Sequence, residues 1–203
     1  MDSKREITQL PVTPEIRYRV ALDEYDRGHH KESLRLACAL IDQGFNHANA
    51  LAGAIYEDGR HGVNEDFEKA RFYFERAVET VGSVEGWLGL GRMYFFGKGV
   101  PKDLELAAKY YEAVDEDTDS AVAQLMLGRI YGDALGPLYN PEKAREYLRR
   151  SAQNGNVFAS TYWALLERNQ GNWFLGGWLR LRAATLALLI SKRDPTDPRL
   201  RQC

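Results

Sequence analysis

The chain is poor in the residues that most active-site chemistry needs. Two cysteines in 203 residues, Cys38 and Cys203, are too few for a disulfide framework, and there is no Cys-x-x-Cys pair. Cys38 lies among Leu36, Ala37 and Leu40 and is expected to be buried as a small apolar residue. The four histidines, His29, His30, His47 and His61, form no His-Glu-x-x-His pair or other metal spacing. His29 and His30 fall in an expected turn and read as surface residues. No Gly-x-Ser-x-Gly elbow occurs. Gly97-Lys98-Gly99 lacks the preceding strand and the Gly-Lys-Ser/Thr ending of a phosphate loop. No catalytic residue, metal site or cofactor is therefore assigned, and the chain reads as non-enzymatic. The net charge of −2 lacks the basic surplus of a nucleic-acid binder. The first twenty residues hold no apolar run of signal-peptide length, so the expected location is cytoplasmic.

What is present is a period. Gly53, Gly91 and Gly128 are 38 and 37 residues apart, and Tyr56, Tyr94 and Tyr131 keep the same offsets. Asp66, Asp103 and Asn140 form a third row. Ala70, Ala107 and Ala144 form a fourth, each followed three positions later by Tyr73, Tyr110 or Tyr147. A repeat of this length marks a helical solenoid. The best-defined unit, Val84 to Ser120, reads as a helix, a glycine-punctuated loop and a second helix. Glycine costs about 1 kcal/mol inside a helix, so its recurrence at 53, 91 and 128 implies a neighbouring helix too close for a side chain. Asp66, Asp103 and Asn140 are placed to cap the second helices, with Pro141 at a first helical position. The periodic tyrosines are assigned to the core.

These rows resemble the Sel-one-like repeat, a relative of the tetratricopeptide repeat. Its outline appears as LAGAIYEDGRHGVNEDFEKARFYFERA from Leu51 to Ala77 and as LGLGRMYFFGKGVPKDLELAAKYYEAV from Leu88 to Val114. The third copy, Leu125 to Ala152, departs in its loop, where Ala134 replaces the first glycine and Pro137 the valine. The resemblance implies an all-α fold, a right-handed α/α solenoid of about five helical hairpins, acting as a protein-interaction scaffold with no catalytic residues.

The expected order is a loose arm over 1–13, an N-terminal capping hairpin over 14–45 and three repeats over 46–156. A C-terminal capping hairpin over 157–193 and an extended tail over 194–203 follow. Thr13-Pro14-Glu15 is a helix-start signal. Asp115 to Asp119 reads as a solvated turn, since it lacks the glycine and ligand spacing of a calcium loop.

In the related tetratricopeptide fold the first helices line the concave face, which the resemblance carries over to a partner-binding groove. Arg92, Phe95 and Phe96 come from the middle copy, Arg129 and Asp133 from the third, and Ala54, Glu57 and Asp58 from the first. Arginine and aromatic residues together are the composition of interface hot spots. The last periodic segment, WFLGGWLRLRAATLALLISKR, is different: Ala183 to Ile190 is apolar on nearly all sides and calls for burial. Arg180 and Arg182 interrupt it, which argues against a membrane span. Residues 180–203 carry a net charge of +4 against −6 for the remainder. Trp173, Trp178, Arg180 and Arg182 therefore mark a second interaction element. It would meet another copy of the chain, a partner protein or an anionic membrane. The first two rank above the third, because the arginines adjoin the apolar run and form no separate polar stripe. The leading functional reading is a protein-binding adaptor; the alternative is a peripheral membrane or envelope and polysaccharide-assembly factor docked through this helix.

Overall fold

The structure is a computed structural model that describes residues 13–194 and residue 197. The expected arm up to Val12 and the tail residues Arg199 and Arg201 lie outside the described residues. Among the described residues there are ten helices and no strand, so the fold is all-α. The chain divides into two compact units, Met1–Gly89 and Leu90–Cys203.

In the first unit, Thr13 opens α1 (Pro14–Asp26) by accepting a hydrogen bond from the Ile16 amide, with Pro14 in the first turn. Helices α2 (His30–Asp42), α3 (Ala48–Asp58) and α4 (Phe67–Val81) follow, each packed on its predecessor. Their core joins Ala21, Ala37, Leu40, Leu51 and Ile55. The boundary between units falls inside α5 (Val84–Phe96), a division the repeat period does not mark. The second unit continues with α6 (Leu104–Thr118), α7 (Ala121–Gly132), α8 (Pro141–Gln153), α9 (Val157–Asn169) and α10 (Trp173–Arg193). From α6 onward each packs on the next, and α7 also touches α9. Contact between first helices of successive hairpins, seen in the first unit as α1 against α3, is the layering of a helical solenoid.

The recurring glycines do what their cost implied. A Cβ on Gly91 would lie 2.9 Å from the Tyr111 ring, one on Gly53 2.7 Å from Phe74, and one on Gly128 2.5 Å from Leu148. Phe74, Tyr111 and Leu148 are almost wholly buried. Each is thus a knob seated on a glycine of the preceding helix. The caps also form: Asp66, Asp103 and Asn140 accept from the amides of Lys69, Leu106 and Lys143. Their own amides donate to the carbonyls of Tyr56, Tyr94 and Tyr131, at 3.0, 3.0 and 2.8 Å. One residue therefore closes the loop and starts the next helix, which is why these two rows share a period.

Four expectations need correction. The periodic tyrosines are not the deep core. They stack in pairs, Tyr56 on Tyr73, Tyr94 on Tyr110 and Tyr131 on Tyr147, with centroids 5.7–5.9 Å apart. All but Tyr131 are half-buried, because the knob one position after the second tyrosine takes the interior. Cys38 is half-buried, not fully enclosed. His30 is buried beneath Tyr25, whose ring stacks on it at 4.8 Å, because α2 begins at this residue. The acidic run is solvent-exposed from Glu116 to Asp119, as expected, but it is the end of a helix and not a turn. Asp115 to Thr118 complete α6, and Arg150 donates to both Asp115 and Asp119. The fully buried Gln124 amide donates to the same two carboxylates at 2.7 and 2.6 Å.

Candidate partner-binding groove

Arg129 is the centre of the candidate site. It sits in the last turn of α7, and its guanidinium lies 4.8 Å from the Phe95 ring, 5.9 Å from Phe96 and 5.1 Å from Tyr162. One of its N–H groups approaches the Met126 sulfur at 3.5 Å. Among the described residues no carboxylate pairs with it. Stacking on aromatic faces holds a guanidinium in place while leaving its in-plane donors for another partner. The rings come from α5 and α9 and the guanidinium from α7, so the cluster depends on the layering of first helices.

A cavity of about 460 Å³ opens beside the cluster. Phe95, Arg129 and Tyr162 line it with Leu148, Leu165 and Leu166. Leu135 projects at the rim, 98% exposed, and Phe96 is 45% exposed. Asp133, at the C-cap of α7, also lines the cavity and accepts a hydrogen bond from the Leu135 amide. The site therefore combines a cavity of mixed lining, with leucines on one wall and Asp133 and Asn169 beside them, with the oriented Arg129 cation; Lys102 also lies 5.9 Å from the Phe95 ring.

The anticipated residues divide. Phe95, Phe96, Arg129 and Asp133 come together; Arg92 is half-buried on α5 and already engaged. Glu57 and Asp58 belong to the first unit. Glu57 is buried, and Asp58 is half-buried and accepts from the Tyr25 hydroxyl at 2.8 Å. Trp173, Trp178, Arg180 and Arg182 are all exposed on α10.

Two residues escaped the sequence reading. Tyr162 completes the cage from α9, where the repeat pattern has decayed. Glu167, almost fully buried, locks α9 in place: it accepts from Arg145 of α8, from Trp163 at 3.0 Å and from Asn172, at the start of α10, at 2.7 Å. Burial opposes its ionisation, but these donors, Arg145 foremost, outweigh burial and hold its carboxyl below the usual range. Glu167 sits on the helix that carries Tyr162, so it fixes one wall of the groove from behind.

A layered helical array with an aromatic and cationic groove defines a helical-repeat scaffold. Residues 47–79, 87–113 and 121–156, just under half of the chain, match the Sel1 repeat, so these three segments carry Sel1 repeats. No curated protein matches it. Among solved structures it is similar to a Sel1 repeat protein from Oxalobacter formigenes, with a TM-score of 0.71 at 18% identity over 96% of this chain and 83% of that one. It is also similar to c5321, a protective antigen of uropathogenic Escherichia coli strains displaying an SLR fold, with a TM-score of 0.69 at 20% identity. That match covers 89% of this chain but only 42% of the antigen. MamA matches with a TM-score of 0.61 at 16% identity, over 91% of this chain and 97% of its own. At these identities the likeness shows the fold alone. Sel1-repeat proteins are in general protein-interaction scaffolds, and typically not enzymes.

Proposed function

We propose that the chain is a non-enzymatic adaptor that holds a segment of a partner protein in the groove of its second unit. The observation that carries this is Arg129, stacked among three aromatic rings, with no carboxylate partner among the described residues, beside a cavity with a leucine-lined wall. The complementary segment places a carboxylate on the guanidinium and an aliphatic side chain among Leu148, Leu165 and Leu166. An oriented arginine forms a bidentate, charge-assisted pair with a carboxylate, and partial desolvation by the rings strengthens it. Photo-crosslinking tests the reading in cells. A benzophenone side chain in place of Phe96 captures discrete proteins, and adding Arg129→Glu abolishes that capture. The same probe in place of the exposed Leu22, in the first unit, captures a different set. Crosslinks at 96 that survive Arg129→Glu contradict it.

A further inference from the structure

The strongest feature outside the groove is the outer face of α10. Its inner face is accounted for. Leu179, Ala183 and Ile190 are buried, and a Cβ on Gly176 would lie 2.9 Å from the Ala164 carbonyl oxygen of α9. The opposite face is apolar as well. Phe174 is 98% exposed, Leu181 66%, Leu188 57% and Trp178 56%. They follow one another at helical spacings of four, three and seven as a stripe along one face, with Thr185 between Leu181 and Leu188. The helix therefore has two apolar faces, of which only one is covered.

The charges around that stripe choose an occupant. From Arg168 to Arg193 there is no acidic residue. At about 100° per residue, Arg180 lies about 120° from Phe174 on one side, and Arg182 and Arg193 lie about 80–100° from it on the other. The arginines thus flank the apolar stripe, Lys192 stands on it at its C-terminal end, in line with Phe174, and Arg182 lies 5.6 Å from the Trp178 ring. The linear sequence hid this, because residues adjacent in the chain are distant on the helix surface. We propose that α10 lies in the plane of an anionic lipid surface, its outer stripe in the acyl boundary and its arginines at the headgroups. A second copy is a poor occupant: pairing two such faces brings cations together with no α10 carboxylate to answer them. Spanning is also disfavoured. α10 is long and apolar enough to cross a bilayer by length and composition, but its inner face is packed on protein and Arg180 and Arg182 stand near its middle.

The test uses the full chain and sedimentation with phosphatidylcholine vesicles, with and without about a third phosphatidylglycerol. The protein binds the anionic vesicles at least about tenfold more tightly than the neutral ones, and high salt weakens that binding. Arg180→Glu with Arg182→Glu lowers it by about tenfold or more. Phe174→Ser with Leu181→Ser abolishes it while leaving the circular dichroism unchanged, since both side chains are exposed. Failure to bind, equal binding to both vesicles, or a dimer that Leu181→Ser dissociates and vesicles leave intact would overturn the proposal. So would binding to a soluble acidic polypeptide in preference to the anionic vesicles.

Discussion

At the residue scale, the repeat glycines and α10 give opposite responses to the same kind of change. Gly91→Leu drives a side chain into the Tyr111 ring and destabilises the fold by about 1–3 kcal/mol despite better helix propensity. Gly177→Ala, where an added Cβ meets nothing within 4 Å, stabilises by about 0.5–1 kcal/mol. Urea unfolding measures both, and equal signs contradict the close-packing account. His30 gives a pH signature. Burial, and then neighbouring His61 against the opposing pull of Asp58, lower its pKa. Its Nδ1 is buried without a hydrogen-bond partner. The unfolded chain then binds the proton more readily than the folded one. Stability is complete above the unfolded value of about 6.5 and falls as pH drops below it. The thermal midpoint accordingly decreases from pH 7.5 to 5.5, and His30→Phe flattens that slope; an identical slope in the variant removes His30 from the explanation. The glycine rows were legible because spacing alone encodes them. His30 was not, because a His-His pair in a turn looks solvated until Tyr25 is seen to cover it.

At the element scale, caps and buried polar links decide how helices begin and lie. Asp103→Ala removes the hydrogen bond to the Leu106 amide but keeps the amide bond to the Tyr94 carbonyl, so it costs about 1 kcal/mol and leaves the loop closed. Loss of the whole second unit in that variant, seen by hydrogen exchange, would mean the cap does more than begin a helix. Glu167→Ala is harsher. It strips the acceptor from Arg145, Trp163 and Asn172 and lowers stability by about 3 kcal/mol. Protection of amides in α9 and α10 falls first. Uniform loss across the chain contradicts a local role. The caps were readable because Asp or Asn before an amphipathic run is a local signal. Glu167 was not: its partner Arg145 is 22 residues away, outside any repeat row. The apolar character of α10 was equally plain, whereas its division into a covered and an open face needed the position of α9.

At the scale of the whole molecule, the period specifies a fold and leaves the partner to positions that do not repeat. Phe95, Phe96 and Arg129 could be carried over from the resemblance because they hold fixed offsets from the repeat glycines. Tyr162 could not, since the fifth hairpin has lost those glycines. On the proposed reading, the convergence of these four side chains gives the second unit a preference for a carboxylate beside an aliphatic group. The direct measurement is affinity for peptides selected against the intact chain from a random display library. The selected peptides carry an aspartate, glutamate or terminal carboxylate next to a leucine-like residue. Arg129→Ala weakens them by about thirtyfold or more, the equivalent of a hot spot of about 2 kcal/mol. Arg129→Lys, which keeps the charge and loses the planar fork, restores little of it. Peptides without a carboxylate, or peptides that bind Arg129→Ala as tightly as the parent chain, would contradict the assignment of this groove.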